Sequence, residues 1–207
     1  MVAHDGPDVE APTRDRLLDA GMRLFAEKGF RATTVGDIEA AVGLQPRRGG
    51  LYKHFASKQA LLEGAFERHL DAVEGARQTM DDAPLADLHD LADALGRWLL
   101  VELDAERTIT QVLEKEGDRL PDLRDRFRER VSDAGYQAAS DLLGRWIGRR
   151  STDVDLDALA VLLLGPLINL RRSTWLYARP PLGIDDERMI ATWVDACERL
   201  VASLVEA

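Results

Sequence analysis

Cysteine is almost missing from this 207-residue chain: Cys197 stands alone, which excludes an internal disulfide and a cysteine metal cluster. Its expected role is that of a small buried apolar residue. The histidines, His4, His54, His69 and His89, are scattered without metal-ligand pairing. No Gly-x-Ser-x-Gly elbow or Gly-rich phosphate loop occurs. Glu114 and Glu116, two apart, do not share a helical face as a carboxylate pair would need. Neither catalysis, a metal nor a cofactor is therefore expected. Long apolar runs are also lacking: the longest, Ala158 to Ile168, is far shorter than the roughly 20 residues of a membrane helix. The acidic start, with Asp5, Asp8 and Glu10 among Gly and Pro, has neither the basic region nor the apolar run of a secretory signal. A cytoplasmic protein without membrane contact is expected. Sustained strand alternation is absent as well, so the expected fold is all α.

What is present is unevenly distributed. The net charge of −10 divides into −3 for residues 1–12, +4 for 13–58 and −11 for 59–207. A small basic module is attached to a large acidic one, a pattern that fits local phosphate attraction as well as it fits an ordinary acidic surface. The boundaries expected from composition are a disordered tail over 1–12, a first domain over 13–58 and a second over 59–207.

In the first domain Leu17, Leu18, Gly21, Leu24 and Phe25 make one apolar face of a helix that opens at Thr13 and stops before Gly29. A second helix begins at Thr34, an N-cap residue type, carries Val35, Ile38 and Val42, and ends in a turn at Gly43. Pro46 suits the first turn of a third helix. Ser57 caps a fourth, whose apolar positions Leu62, Phe66, Leu70 and Val73 carry it to about Met80. Further helices are expected to about Leu103, over about Arg107 to Lys115, and in a long charged stretch through Arg126, Tyr136, Leu143 and Trp146. The last two run from about Asp155 to Tyr177 and from Asp185 to Glu206, giving about nine in all.

Three short helices with a glycine turn before the third make a helix-turn-helix, whose third helix enters the major groove. Arg47 and Arg48 lie where such a helix meets base edges, and arginine pairs in a bidentate way with guanine. Gln45 shares that turn. Gly49 and Gly50 cost about 1 kcal/mol each in helix propensity, a cost explained if the backbone approaches DNA closely. Tyr52, Lys53, His54 and Lys58 can reach phosphates, as can Thr33 and Thr34 at the start of the second helix. For Leu51 and Phe55 the expectation is a core position.

These residues carry a resemblance. Leu24-Phe25-Ala26-Glu27-Lys28-Gly29-Phe30, Thr33-Thr34-Val35, Asp37-Ile38, Gly43, Leu51-Tyr52-Lys53-His54-Phe55 and Ser57-Lys58-Gln59-Ala60-Leu61-Leu62 together resemble the DNA-binding domain of the TetR family of transcriptional regulators. The resemblance implies a homodimer that reads a palindromic operator in double-stranded DNA, most often as a repressor, under the control of a small ligand in the C-terminal domain. The chain departs from the family pattern in two places. Seven residues, Leu44 to Gly50, separate the turn glycine from Leu51-Tyr52 where about five are usual, so base contacts by Arg47 and Arg48 are less secure than phosphate contacts by Tyr52 and Lys58. Glu39 occupies a position usually held by alanine, and the expectation is that it pairs with Arg47 or Arg48.

In the second domain the stretch Ala158 to Leu170 is apolar almost all round, with a kink expected at Gly165-Pro166. The last helix carries a stripe at Ile190, Trp193, Val194, Cys197, Leu200, Val201 and Leu204. Cover for such surfaces is expected from a second subunit, at Leu163, Leu167, Leu170, Ile190, Trp193, Cys197, Leu200 and Leu204. Trp98, Glu102, Gln111, Glu114, Tyr136, Asn169 and Thr174 are polar or aromatic groups on otherwise apolar faces, suited to lining a ligand cavity. The competing interpretation is a helical small-molecule-binding protein or enzyme that does not bind DNA.

Overall fold

A computed structural model describes residues 12–81, 87–147 and 154–206. Apart from Pro12, the tail expected to be disordered lies outside them. The described residues are mainly helical, with no strand among them: α1 (Thr13–Lys28), α2 (Val35–Ala41), a 3-10 turn (Leu51–Lys53), α3 (Lys58–Asp81), α4 (Leu88–Glu116), α5 (Pro121–Phe127), a π-helical segment (Arg128–Asp133), α6 (Ala134–Ile147), α7 (Leu156–Tyr177) and α8 (Asp186–Glu206). No helix among the described residues is long and apolar enough to cross a membrane.

The chain forms two compact units, Met1–His69 with Thr108–Arg124, and Leu70–Arg107 with Asp125–Ala207. The first unit thus takes in two segments, 59–69 and 108–124, that composition had assigned to the second. Its core is the apolar face read from the sequence: Leu17, Leu18, Phe25, Ile38, Leu51, Leu61, Leu62 and Phe66 are wholly buried. Gly21 lets α1 and α3 approach closely, since a Cβ there would collide with the Leu61 side chain. α2 begins with a complete capping box. The Thr34 hydroxyl oxygen accepts from Asp37 N–H at 3.1 Å, and Asp37 Oδ2 accepts from Thr34 N–H at 2.8 Å. Loss of such a cap costs about 1 kcal/mol. At the other end of α2, Arg16 donates to the Val42 carbonyl at 2.6 Å.

The end of α4 belongs to this first unit. Lys115 Nζ donates to the carbonyls of Ala26 and Glu27, placing a cation at the C-terminus of α1, where the last carbonyls and the helix dipole favour one. The neighbouring Glu116 side chain is buried and accepts from Phe30 N–H at 3.2 Å and Arg119 Nη1 at 3.0 Å.

In the second unit α4, α7 and α8 enclose a core in which Leu100, Leu167, Leu170, Ile190, Trp193 and Val194 cluster. A smaller cluster forms around Ile147, Leu159 and Val201. Arg171 ties three helices together. Its Nη1 and Nη2 donate to the two Asp186 oxygens at 2.6 and 2.7 Å, and its Nε lies 3.1 Å from Asp104 Oδ2. Arg77 donates to the carbonyls of Arg130 and Val131, both at 3.3 Å, within the π-helical segment.

Three local expectations change. The break expected between Leu103 and Arg107 is absent, and α4 is continuous, because between Gly96 and Gly117 there is neither glycine nor proline to stop it. The helix expected from Pro46 reduces to turns and a single 3-10 turn. The long charged stretch divides into α5, the π-helical segment and α6. α7 runs as one element over nearly the span expected for it, with Pro166 inside.

The residues expected at a subunit interface are for the most part core. Leu167, Leu170, Ile190, Trp193 and Cys197 are buried within the unit, and Leu163, Leu200 and Leu204 are partly buried against its clusters. The large apolar groups that α7 leaves exposed are Val161, Leu162, Leu176 and Tyr177. A helix apolar on every side does not declare from its sequence which side turns inward.

Candidate nucleic-acid interface

The segment from Gln45 to His54 is an exposed run built on a buried anchor. The Glu39 side chain is wholly buried. Its Oε2 accepts from Arg47 N–H at 2.7 Å and its Oε1 from Leu51 N–H at 3.0 Å. One carboxylate on α2 thereby fixes both ends of the turn, and Leu51 enters the core beside it. The expected pairing of Glu39 with an arginine is corrected in kind: its Arg47 bond is to the backbone amide rather than to the guanidinium, a bond to which any residue except proline could contribute.

The same anchor explains the two glycines. Arg47 and Gly49 have φ values of 63° and 74°, in the left-handed region that costs a residue with a side chain about 1–2 kcal/mol and glycine little. At Gly50 a Cβ would lie 3.0 Å from Leu44 Cδ1 and 3.6 Å from Glu39 Oε1. Gly49 answers to backbone conformation, and Gly50 to close approach of the chain to Leu44 and the Glu39 carboxylate. Neither requires close approach to DNA, the reason first assigned to them.

Around this anchor Gln45, Arg47, Arg48, Tyr52, Lys53 and His54 are all exposed, Tyr52 at 58%. Six side chains able to donate hydrogen bonds, four of them Arg, Lys or His, thus share ten residues of surface. Phe55, as expected, returns to the core, with the Arg14 guanidinium 5.0 Å from its ring centroid.

Two expected phosphate ligands turn inward. Thr33 is wholly buried, and its hydroxyl donates to the carbonyls of Leu24 and Gly29 at 3.1 and 2.9 Å. Lys58 donates to the carbonyls of Phe30 and Thr33 at 2.5 and 2.7 Å, and its ammonium sits 4.3 Å from the centroid of the Phe30 ring. Partial burial lowers the Lys58 pKa against an opposing effect of the Glu116 charge. These two residues hold the α1–α2 connection. Thr34 is exposed, but its hydroxyl is engaged in the capping box.

The second unit contains a cavity of about 70 Å³ between the first turns of α4 and the helices α6, α7 and α8. None of the residues expected to bind ligand lines it. Gln111 and Glu114 belong to the first unit. Asn169 is exposed on the outward side of α7, and Thr174 donates to the Leu170 carbonyl of its own helix at 2.8 Å. Trp98, Glu102 and Tyr136 are half-buried elsewhere in the second unit. The wall is apolar.

The model of the family described as bacterial regulatory proteins, tetR family, matches residues 17–65. The HTH-type transcriptional repressor KstR2 of Mycolicibacterium smegmatis is 30% identical over 181 residues, 86% of this chain and 83% of that protein. The HTH-type transcriptional regulator TcmR of Streptomyces glaucescens is 27% identical over 204 residues, 82% of this chain and 87% of its own. Among solved structures, a transcriptional regulator from Saccharomonospora viridis in complex with choline superposes with a TM-score of 0.67 at 22% identity, covering 90% of this chain and 95% of that one.

Proposed function

The chain belongs to the TetR family of transcriptional regulators, and from that premise we propose that it is a repressor that binds a palindromic operator as a homodimer and is released by a small ligand held in its second unit. The observation that carries the DNA-binding surface is the exposed run from Gln45 to His54 on its Glu39 anchor. Arg47, Arg48 and Gln45 read base edges, and Tyr52, Lys53 and His54 hold phosphates. Thr33 and Lys58 are left out of the contact set because their polar atoms are committed inside the unit.

The second copy covers the outward side of α7. Leu162, Pro166, Asn169 and Leu176 follow one another at helical spacing, are all exposed, and have Val161 and Tyr177 beside them. An apolar stripe of this kind is characteristic of an association surface, and a closed two-fold pairing of it gives the symmetry a palindrome demands. Ligand then favours a conformation in which the two recognition segments no longer match successive major grooves, about 34 to 36 Å apart.

The test is selection of binding sites from random duplex DNA, followed by affinity measurement across a salt series. The expected result is an inverted repeat whose affinity falls linearly with salt on logarithmic axes. Failure to bind any duplex at low salt overturns the proposal.

A further inference from the structure

The segment that the sequence casts as a recognition helix is held out of helical form by the helix before it. Arg47 and Gly49 have φ values of 63° and 74°, whereas a helix needs about −63° at both. In a helix opening at Pro46 the Leu51 N–H would be given to the Arg47 carbonyl, four residues back. Here it is given to Glu39 Oε1 at 3.0 Å, and the Arg47 N–H to Glu39 Oε2 at 2.7 Å. The Arg48 N–H closes a turn on the Gln45 carbonyl at 3.4 Å. Gly36 and Glu39, three residues apart on α2, form the seat of this loop. A Cβ at Gly36 would lie 3.7 Å from Pro46 Cβ and 3.8 Å from Arg47 Cγ, and one at Gly50 would lie 3.6 Å from Glu39 Oε1.

We propose that residues 45–50 read DNA as a preformed loop that keeps its form in the complex, so that the protein recognises its operator without a recognition helix. The inference rests on the DNA-binding regulator described above and deepens it by naming the form of the element that enters the groove. Coiling the segment into a helix would strip the wholly buried Glu39 carboxylate of both its backbone donors. A buried charge left without partners is strongly unfavourable, so the carboxylate opposes that change in the complex as in the free chain. The two left-handed residues are already in place before DNA arrives, and ordering of this backbone is not deducted from the affinity. Gln45, Arg47 and Arg48 then meet base edges from positions set by the loop rather than by the 3.6-residue turn of a helix.

The test uses the full chain, isotopically labelled, with the inverted-repeat duplex recovered by selection from random DNA. Cα chemical shifts of residues 45–50 report the backbone form, and slow exchange of the Arg47 and Leu51 amides reports the Glu39 bonds. The expected result is that the duplex moves the side-chain signals of Arg48, Tyr52 and Lys53, while the Cα shifts stay non-helical and both amides stay protected. Helical Cα shifts in the complex, or loss of protection at either amide, overturn the proposal. Gly49→Ala separates the two forms by affinity. Alanine is penalised in the left-handed region and favoured in a helix, so a segment that coils on DNA would bind the duplex at least about tenfold more tightly in this variant. The fixed loop predicts lower stability and no gain in affinity, and tighter binding overturns it. A duplex that leaves Arg48, Tyr52 and Lys53 unmoved removes DNA binding and this inference together, whereas a helical complex removes the inference alone and leaves the regulator standing.

Discussion

Glu39 Oε1 accepts the Leu51 N–H at 3.0 Å, so a carboxylate buried in α2 sets the point at which the exposed recognition run turns back into the core. Each buried N–H left unpaired costs about 1–3 kcal/mol. Glu39→Ala removes the acceptor for both Leu51 and Arg47 and is expected to destabilise the protein by about 2–5 kcal/mol. Glu39→Gln, which keeps one acceptor oxygen, is expected to lose roughly half as much. Urea unfolding measures the first effect. DNA affinity measured under conditions where the variant stays folded should fall as well, and a Glu39→Ala protein with unchanged stability and affinity would refute the anchor.

Lys53 and Lys58 lie five residues apart in sequence but face opposite ways. Lys53 is exposed, whereas the Lys58 ammonium is held by the Phe30 and Thr33 carbonyls. Lys53→Ala is expected to weaken binding to all duplexes alike and to reduce the salt slope by about 0.9. Lys58→Met is expected to lower the unfolding free energy and leave that slope unchanged. A slope that falls in Lys58→Met would show that this lysine reaches phosphate after all.

Arg48 is exposed in the turn, and we expect it to read base edges. Arg48→Ala should cost about 1–3 kcal/mol against the preferred operator and much less against mismatched ones. Equal losses on both duplexes would reassign it to the phosphate backbone. Competition binding with single-base variants of the selected site makes the distinction.

On α7, Leu162 and Leu176 are 65% and 73% exposed, and the proposed dimer buries both. Leu162→Glu and Leu176→Glu are expected to shift the protein to monomers in analytical ultracentrifugation while leaving the helical circular dichroism intact. Unaltered sedimentation in both variants would place the two-fold contact elsewhere.

The Arg171–Asp186 pair gives the second unit an acid-sensitive fastening. Hydrogen bonds from Arg171, and then its charge, hold the Asp186 carboxyl below its usual value of 3.8, against the opposing effect of burial. A carboxyl lowered on folding stabilises the native state above its unfolded pKa, and that stability is lost as pH falls through the folded value. Asp186→Asn should therefore lower the melting temperature at pH 7, and the difference from the parent protein should shrink on acidification below about 4. A difference independent of pH would argue against the ion pair as its source.

Much of this architecture was legible because its signals are local. Gly29, Thr34 and Asp155 mark helix ends through backbone conformation or a side chain that bonds three residues on, and α1, α2 and α7 begin or end at those points. The exposed Gln45–His54 run could also be read, since turn chemistry and basic residues coincide there. What escaped depends on contacts between distant segments. Thr33 and Lys58 have the composition of phosphate ligands, but carbonyls nine and 28 residues away claim their donors. The side of α7 that faces inward depends on α8, through Ile190 and Trp193. The cavity was missed because an apolar pocket has the same sequence pattern as a filled core.

Because Glu39 grips the turn by backbone N–H groups, the side chains displayed at Gln45, Arg48 and Lys53 carry none of that fastening. They can be exchanged as type is exchanged in a composing frame, the frame itself staying locked. A lineage with such a carboxylate can drift from one operator to another through single substitutions on the display surface, without passing through unfolded intermediates. Laboratory libraries confined to those three positions should return folded proteins at high frequency.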